Sequence, residues 1–268
     1  RYDNLERRIS ELNSEDVFQF FMNAFAASIE PHTSYLSART SENFEISMSL
    51  SLEGIGALLG RENEYTQISR VVPGGPVDQD GQLKAGDRIT AVGQGRDGKM
   101  VDIIGWRIDN VVELIRGPKD TIVRLEILPE EEPVGGATSV IEIVRDEVKL
   151  EEQAASSEII EVPMVEDGEA VKIGVIDLPV FYLDFAGRAQ NKPDYRSSTS
   201  DVRRIIEELK EEGVEGLVID LRGNGGGSLL EATTLTGLFI DTGPVVQVRN
   251  SKGKISVEED IEKGMAWD

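Results

Sequence analysis

The sequence predicts an α/β chain, α+β overall, in which a small β-rich domain is followed by a layered α/β unit. Residues 48–147 alternate short β-type runs with glycine-rich turns around one helical pattern. From about residue 150, strand and helix patterns alternate, which implies a layered α/β unit. A chain of 268 residues holds about two domains. We expect a helical segment at 1–46, the β-rich domain at 47–147 and the α/β unit at 148–268.

Composition and charge narrow the function classes. The 28 Lys and Arg against 50 Asp and Glu give a net charge of −22, which argues against nucleic acid or an anionic membrane as the main partner. No apolar run approaches the ~20 residues of a membrane helix. The sequence has no cysteine and one histidine, His32, which excludes thiol nucleophiles and His-rich metal sites. We expect no metal and no cofactor, and we interpret His32 as a local hydrogen-bonding residue.

The first element is predicted to be a helix that begins at Ser14, which can act as its cap, and ends before Pro31. Its apolar residues recur at helical spacing and form one face, which we expect to be a core or docking face. These residues are Val17, Phe18, Phe21, Met22, Phe25 and Ile29.

The β-rich domain is predicted to contain five strands and one principal helix. The helix covers 106–116 and ends at Gly117-Pro118. A solvated hairpin loop is expected at 129–136. The strands are predicted at 49–52, 66–72, 87–92, 121–128 and 139–144.

The α/β unit is predicted from two helix patterns, three strand patterns and a polar loop. A helix opens at Ser200 and closes at Gly213, and a second helix runs from Ser228 to about Phe239. The apolar run at 216–221 is typical of a strand buried on both faces. Two more strands are predicted at 172–178 and 245–248, with a polar loop at 184–198.

The turn formed by Gly54, Ile55, Gly56 and Ala57 is a candidate carboxylate site. Glycines there let backbone N–H groups point into one concavity. An extended peptide could then add to the following strand, with its terminal carboxylate in the turn and the helix at 106–116 alongside. The alternative is a tight turn that binds no ligand.

The stretch 220–228, Asp-Leu-Arg-Gly-Asn-Gly-Gly-Gly-Ser, carries the strongest chemical signal. It joins the end of a buried strand to the start of a helix, which leaves backbone N–H groups free to stabilise negative charge. It is not a P-loop, because no Lys precedes Ser228, and it is not a nucleophile elbow. We interpret Ser228 as the helix N-cap.

Two weaker motifs are discounted. The Gly-x-Gly-x-x-Gly pattern at 93–98 is not followed by a helix, as a dinucleotide site requires. The Ser-x-x-Lys pattern at 251–254 falls in a predicted hairpin turn rather than on a helix.

Taken in order, several motifs resemble the carboxyl-terminal processing peptidases, from about residue 14 to about residue 249. Each motif alone is weak, but together they are specific. They are Glu-Pro-His-Thr at 30–33, Leu-Ser-Leu-Glu-Gly-Ile-Gly-Ala at 50–57, Pro-Gly-Gly-Pro at 73–76, Gly-Asp at 86–87, Gly-Trp-Arg at 105–107, Ile-Arg-Gly-Pro-Lys at 115–119, Val-Arg-Leu-Glu-Ile-Leu at 123–128 and the stretch 220–227.

This resemblance implies a PDZ domain followed by a layered α/β serine-protease core, here incomplete. It implies binding of unstructured C-terminal tails by the PDZ domain and hydrolysis of peptide bonds with a Ser-Lys dyad. It also implies a bacterial, periplasmic location and a lipoprotein adaptor as a further partner. The resemblance makes Gly226 and Gly227 the oxyanion-hole candidates. It assigns peptide binding to Gly54, Ile55, Gly56, Ala57, Val111, Val112 and Ile115.

The chain departs from the family at its catalytic residues. The family's Ser-x-Ala-Ser and Gly-Lys-Gly segments are absent from residues 1–268. Both ends look cut, so we expect an inactive fragment whose catalytic dyad lies beyond it, and which forms a homodimer or exchanges strands through its exposed protease portion. The alternative function is a non-catalytic PDZ scaffold for protein C-termini. A third is an α/β binder of anions or nucleotides that uses the glycine-rich turn.

Overall fold

The computed structural model describes residues 2, 6, 9–163, 170–261 and 264–268. It divides into two compact units, residues 1–43 with 51–149, and residues 44–50 with 150–268. Helices and strands are both well represented, which confirms the predicted fold class. Within the described part of the chain, no helix has the length and apolar character needed to cross a membrane.

Among the elements whose full extent the structure describes, two helices precede the first strand. Helix α1 (Ser14–Ile29) is capped by Asn13, in a capping box with Asp16, rather than by Ser14 as predicted. Helix α2 (Ala38–Ser49) was not predicted, and the first strand accordingly begins at Ser51 instead of residue 49. Only Met48 of α2 is buried, so the helix offers little apolar periodicity to recognise.

The apolar stripe of α1 does not form a core among the described residues. No residue of α1 is buried, and Phe21 and Ile29 are 66% and 69% exposed. The opposite, polar face makes the hydrogen bonds, and the Phe18 ring of the stripe contacts the Tyr35 ring edge to face at 5.6 Å. Asn23 exchanges hydrogen bonds with the backbone of Tyr35, and Gln19 accepts from the Ser37 N–H. The stripe is therefore not a core face among the described residues, and the prediction of a docking face stays a prediction.

The remainder of the first unit is a six-stranded antiparallel sheet, a two-stranded sheet and two helices. The large sheet has the order β2-β3-β4-β6-β7, with β5 beside β4, and β1 pairs with β8. The strands are β1 (Ser51–Gly54), β2 (Ala57–Glu62), β3 (Tyr65–Val71), β4 (Arg88–Gln94), β5 (Val101–Asp102), β6 (Ile122–Leu128), β7 (Ser139–Val144) and β8 (Asp146–Lys149), and the helices are α3 (Pro76–Asp80) and α4 (Ile108–Ile115).

The core of this unit lies between the large sheet and α3 and α4. It contains Ile55, Ile68, Ile89, Val111 and Leu125, all 3% exposed or less. Alternating residues of β3 and β6 point inward, as expected for strands with one buried face. Burial of these side chains fixes the position of β2 relative to α4.

The second unit contains a three-stranded sheet, a hairpin and helices. The sheet has the order β11-β10-β9, with β10 and β11 parallel. After a single 3-10 turn (Glu151–Gln153), the elements are β9 (Ser156–Val162), β10 (Val171–Asp177), α5 (Phe185–Ala189), α6 (Ser198–Glu211), β11 (Gly216–Asp220), α7 (Leu229–Thr236), β12 (Pro244–Arg249) and β13 (Ile255–Glu259).

Several predictions for this unit need correction. The loop predicted at 184–198 contains the short helix α5, which Asp184 caps, and α6 begins at Ser198 behind the cap Ser197. The strand predicted to be buried on both faces is open on one. Val218 of β11 is 49% exposed, because α6 and α7 cover one face of the sheet and no described element of this unit covers the other. Gly213 at the end of α6 is left-handed, with φ +74°, as predicted.

Candidate functional site

The Gly54–Ala57 turn connects β1 to β2, and its carbonyl groups are already bonded. The Val72 N–H donates to the carbonyl oxygen of Gly56, and the Val77 N–H donates to that of Ile55, each at 2.9 Å. Among the described residues, neither the Ile55 nor the Gly56 N–H has a hydrogen-bond acceptor. These two backbone donors are therefore available to a carboxylate.

Glycine at position 56 is required by geometry. Its φ of +73° lies in the left-handed region. A Cβ at this position would stand 2.9 Å from the Cα of Gly75, and a Cβ at Gly75 would stand 3.0 Å from the Cα of Gly56. The two backbones are thus in direct contact, which holds the turn against the loop that leads into α3.

The turn opens onto the edge of the large sheet. Strand β2 pairs only with β3 in the sheet order, and helix α4 packs against β2. The end of α4 lies near the turn, since a Cβ at Gly54 would be 3.9 Å from Cγ of Arg116. A strand edge with a helix beside it and free N–H groups at one end is suited to an extended peptide that ends in a carboxylate.

The three predicted groove residues of α4 differ in exposure. Val111 is fully buried and Ile115 is 3% exposed, and both belong to the core of the unit. Val112 is half-buried, so it alone of the three presents part of its surface to solvent. Ile55 is also a core residue, at 3% exposure, so this residue would contribute its backbone N–H to a site while its side chain packs inside.

The glycine-rich turn begins with an ion pair between Asp220 and Arg222. The Asp220 carboxylate accepts from the backbone N–H of Arg222 and from its Nε, each at 2.9 Å. These hydrogen bonds lower the pKa of Asp220 to about 2. The pair fixes the chain direction as it leaves β11.

The centre of this turn is fixed by Asn224 and Phe181. The Asn224 side chain donates to the Leu178 carbonyl and accepts from the Gly226 N–H, both at 2.7 Å. The backbone of Phe181 donates to the Gly226 carbonyl and accepts from the Ser228 N–H, both at 2.9 Å. Both contacts hold the turn against the segment after β10.

The two glycines predicted to form the oxyanion hole differ in whether their backbone N–H is already hydrogen-bonded. The Gly226 N–H is already bonded to Asn224, whereas the Gly227 N–H has no acceptor among the described residues. A Cβ at Gly227 would collide with the Phe181 carbonyl oxygen, which explains glycine there. Ser228 is the N-cap of α7, and its side chain accepts from the Glu231 N–H, as predicted.

A buried network supports the segment that holds the turn. The Tyr182 hydroxyl donates to Asp201 at 2.6 Å and accepts from the Ala155 N–H at 3.2 Å. Burial and the Asp201 hydrogen bond raise the pKa of Tyr182 well above its usual value. The buried Glu231 carboxylate accepts from the hydroxyls of Ser197 and Ser198, which joins the start of α7 to the start of α6.

Neither discounted motif has the structure that its chemistry would need. The pattern at 93–98 begins inside β4 and is followed by β5 rather than by a helix, as predicted. Residues 250–254 form the predicted hairpin turn between β12 and β13. His32 makes local hydrogen bonds to Glu30 through its N–H and ring. In the described part of the chain, no group of three or more His, Asp or Glu side chains is placed to hold a metal ion.

Sequence reasoning did not identify Asn224 or Phe181 as parts of the site. A polar side chain inside a run of four glycines was a usable signal for Asn224. Phe181 acts through its backbone, so its residue type carried no signal.

Three family models match the chain. Residues 1–39 match the tail specific protease N-terminal domain, 44–128 the PDZ domain and 172–267 peptidase family S41. The tail-specific protease of Haemophilus influenzae is 42% identical over 260 residues, which is 97% of this chain and 34% of that protein. The carboxy-terminal processing protease CtpA of Bacillus subtilis is 28% identical over 229 residues, 85% of this chain and 42% of that protein. The chain thus spans about a third to two fifths of these relatives.

Two solved structures are also similar. One is the PDZ domain of the carboxy-terminal protease of Vibrio cholerae in complex with peptide, 48% identical, with a TM-score of 0.36. It covers 38% of this chain and all of that one. The other is the photosystem II D1 C-terminal processing protease, 20% identical over 98% of this chain and 65% of that one, with a TM-score of 0.39.

Proposed function

We propose that this chain, which carries a PDZ domain and a peptidase family S41 segment and is related to the tail-specific proteases, recognises substrate tails and stabilises the oxyanion for a serine endopeptidase. The PDZ domain binds unstructured C-terminal tails of other proteins. The S41 segment contributes to an active site whose Ser-Lys dyad lies outside residues 1–268. The proposed domains are 1–46, 47–147 and 148–268.

The pair of free N–H groups at Ile55 and Gly56 is the observation that carries the tail-binding proposal. A tail would pair with the open edge of β2 and end with its carboxylate at these donors. Charge-assisted hydrogen bonds to a carboxylate are about twice as strong as neutral ones. The tail's terminal group, rather than its sequence, is then the main determinant of binding.

The proposed oxyanion donor is the Gly227 N–H, which is free at the start of α7. Helix N-termini favour negative charge, and a fixed backbone donor stabilises the tetrahedral intermediate of acyl transfer. The Gly226 N–H contributes by fixing the turn through Asn224. In the dyad, a buried Lys held neutral would accept the proton of the nucleophilic Ser.

A peptide titration tests the tail-binding proposal. The purified chain is titrated with a fluorescent unstructured peptide that ends in small apolar residues, and with its C-terminally amidated twin. We expect the free acid to bind at least about tenfold more tightly, since loss of a charged acceptor costs about 1.5–3 kcal/mol. Equal affinity of the two peptides would contradict a carboxylate site at the Gly54–Ala57 turn.

Replacement of Gly56 tests the same site from the protein side. We expect Gly56→Val to abolish binding of the free acid, because the side chain disfavours φ +73° and meets Gly75. Gly135→Val is the matched control, since Gly135 has φ +81° with open space around it. Thermal unfolding of both variants checks that they fold. Unchanged affinity of a folded Gly56→Val variant would remove this turn from the site.

Mass spectrometry of the same mixtures tests whether the chain cleaves the bound peptide. We expect intact peptide, because the nucleophile and base are proposed to lie elsewhere. Cleavage that a serine-reactive inhibitor blocks would mean that residues 1–268 contain an unrecognised nucleophile. A scaffold would have no use for a free donor at Gly227, which favours the protease. A periplasmic location, a lipoprotein adaptor and a homodimer complete the proposal.

A further inference from the structure

Two arginines stand at the end of the proposed groove that is distant from the carboxylate turn. Arg61 is near the end of β2, and Arg107 is the N-cap residue of α4. The proposed groove lies between two walls, the edge of β2 and helix α4, so one arginine belongs to each wall. A tail paired with β2 and ending at the turn would reach Arg61 about four residues, or about 13 Å, before its terminus.

Carboxylates from the N-terminal segment already occupy both arginines. Oε1 of Glu11 is 2.6 Å from Nη1 of Arg61, and Oδ2 of Asp16 is 2.5 Å from Nη1 of Arg107. Arg107 also donates to the backbone oxygen of Glu11 at 3.4 Å. Residue 11 thus contacts a residue of each wall.

The attachment of this segment is mainly ionic. Helix α1 buries no residue, and a further contact with α4 is the pair Arg39–Glu113 at 3.8 Å. The side chains of Arg61 and Glu11 are 23% and 32% exposed, and partly exposed pairs of this kind change an equilibrium only about 1.4- to 5-fold. A competing carboxylate can therefore displace Glu11 at little cost.

We infer that Arg61 and Arg107 form a carboxylate subsite for the bound tail, which Glu11 and Asp16 of the same chain occupy when no tail is present. The ligand is an Asp or Glu side chain about four residues before the tail's C-terminus. The inference rests on the proposed tail binding. The subsite gives the groove a second determinant of tail affinity besides the terminal carboxylate. Because the chain has a net charge of −22, it should otherwise favour basic peptides, and the subsite would favour an acidic side chain instead.

The test uses three free-acid tails that differ only in having Glu, Gln or Lys at that position. Variants Glu11→Gln and Arg61→Gln are compared with wild type. Glu11 is chosen because Asp16 also caps α1, so its loss would disturb the helix. Glu15→Gln is the matched control, an exposed carboxylate of the same segment, and circular dichroism checks the helix content of each variant.

We expect wild type to bind the Glu tail more tightly than the Gln tail. Glu11→Gln should tighten binding of the Glu tail by about 1.4- to 5-fold, and Arg61→Gln should reduce the difference between the Glu and Gln tails. Glu15→Gln should behave as wild type.

A Glu-over-Gln preference that is undiminished in Arg61→Gln, an unchanged Glu-tail affinity in Glu11→Gln, or tightest binding of the Lys tail would overturn the subsite. If all three tails bind through their terminal carboxylate in every variant but the affinity of the Glu tail depends on neither Arg61 nor Glu11, only the subsite fails. If no free-acid tail binds any variant, the proposed function fails with it.

Discussion

Asp220 fixes the start of the glycine-rich turn, because its carboxylate accepts hydrogen bonds from the backbone and the side chain of Arg222. Because its folded pKa of about 2 lies below the ordinary value of 3.8, the carboxylate favours the folded state above about pH 3.8. That contribution is lost as the pH falls toward 2. An NMR titration of the Asp220 carboxyl should give a midpoint near 2.

Arg222→Gln should raise that midpoint toward 3.8, because the side-chain hydrogen bonds that Asp220 accepts come from Arg222. Arg204→Gln, which removes an arginine paired with other carboxylates, serves as the control. A midpoint that does not move in Arg222→Gln would show that the ion pair does not set the pKa.

Single residues show where sequence reasoning is strong and where it ends. Ser228 and Gly213 were predicted correctly, because caps and left-handed termini depend on local chemistry. The cap of α1 was placed one residue late, since Asn13 and Ser14 are both good caps and only the capping box with Asp16 decides between them. The Gly226 N–H is bonded and the Gly227 N–H is free because of contacts with Asn224 and Phe181, which come together only in the folded chain.

At the scale of elements, Arg145 ties α4 to two strands. It is 3% exposed and donates to the carbonyls of Leu114 and Ile115, to Gln94 and to Thr121. No carboxylate is among these partners, and burial lowers the pKa of its guanidinium. The residue holds the last carbonyls of α4, next to the Gly54–Ala57 turn.

Arg145→Met should therefore lower the free energy of unfolding by about 3 kcal/mol, because several buried acceptors lose their donor at once. Urea denaturation measures the change. Arg96→Met, at an exposed position in the turn after β4, should stay within about 0.5 kcal/mol of wild type. A loss below about 1 kcal/mol for Arg145→Met would mean that water replaces the guanidinium.

Helix α1 shows the limit of periodicity. The apolar spacing predicted the helix correctly, but the stripe is not buried, and the hydrogen bonds come from the other face. Asp16, Gln19 and Asn23 lie on the contacting face because they find Arg39, Thr40 and Tyr35 there. Such pairs of donors and acceptors cannot be predicted from the sequence of α1 alone, because they depend on where the partner residues lie in the folded chain.

For the whole molecule, the open face of the β9–β11 sheet is the main departure from expectation. Ile160, Val162 and Val218 are 41%, 41% and 49% exposed, and apolar patches of this kind favour association. Sequence alone indicated a layered α/β unit in which the strand at 216–221 is buried on both faces. It could not show which face of the sheet these residues would leave uncovered.

We expect the chain to self-associate in a concentration-dependent way through this face. Sedimentation velocity over a range of concentrations measures it, and Val218→Lys should shift the distribution toward monomer. Val140→Lys, at a position 53% exposed on the first unit, is the control. Identical association of wild type and Val218→Lys would assign the contact to another surface.

The contact between Gly56 and Gly75 has a consequence for how this sequence can vary. Each position excludes a side chain because the other backbone is present, so neither can change first and be compensated by the other. In a saturation library selected for folding, both positions should accept glycine alone, and the double alanine variant should be no better tolerated than either single one. The two glycines should therefore be retained together, although 18 intervening residues separate them along the chain.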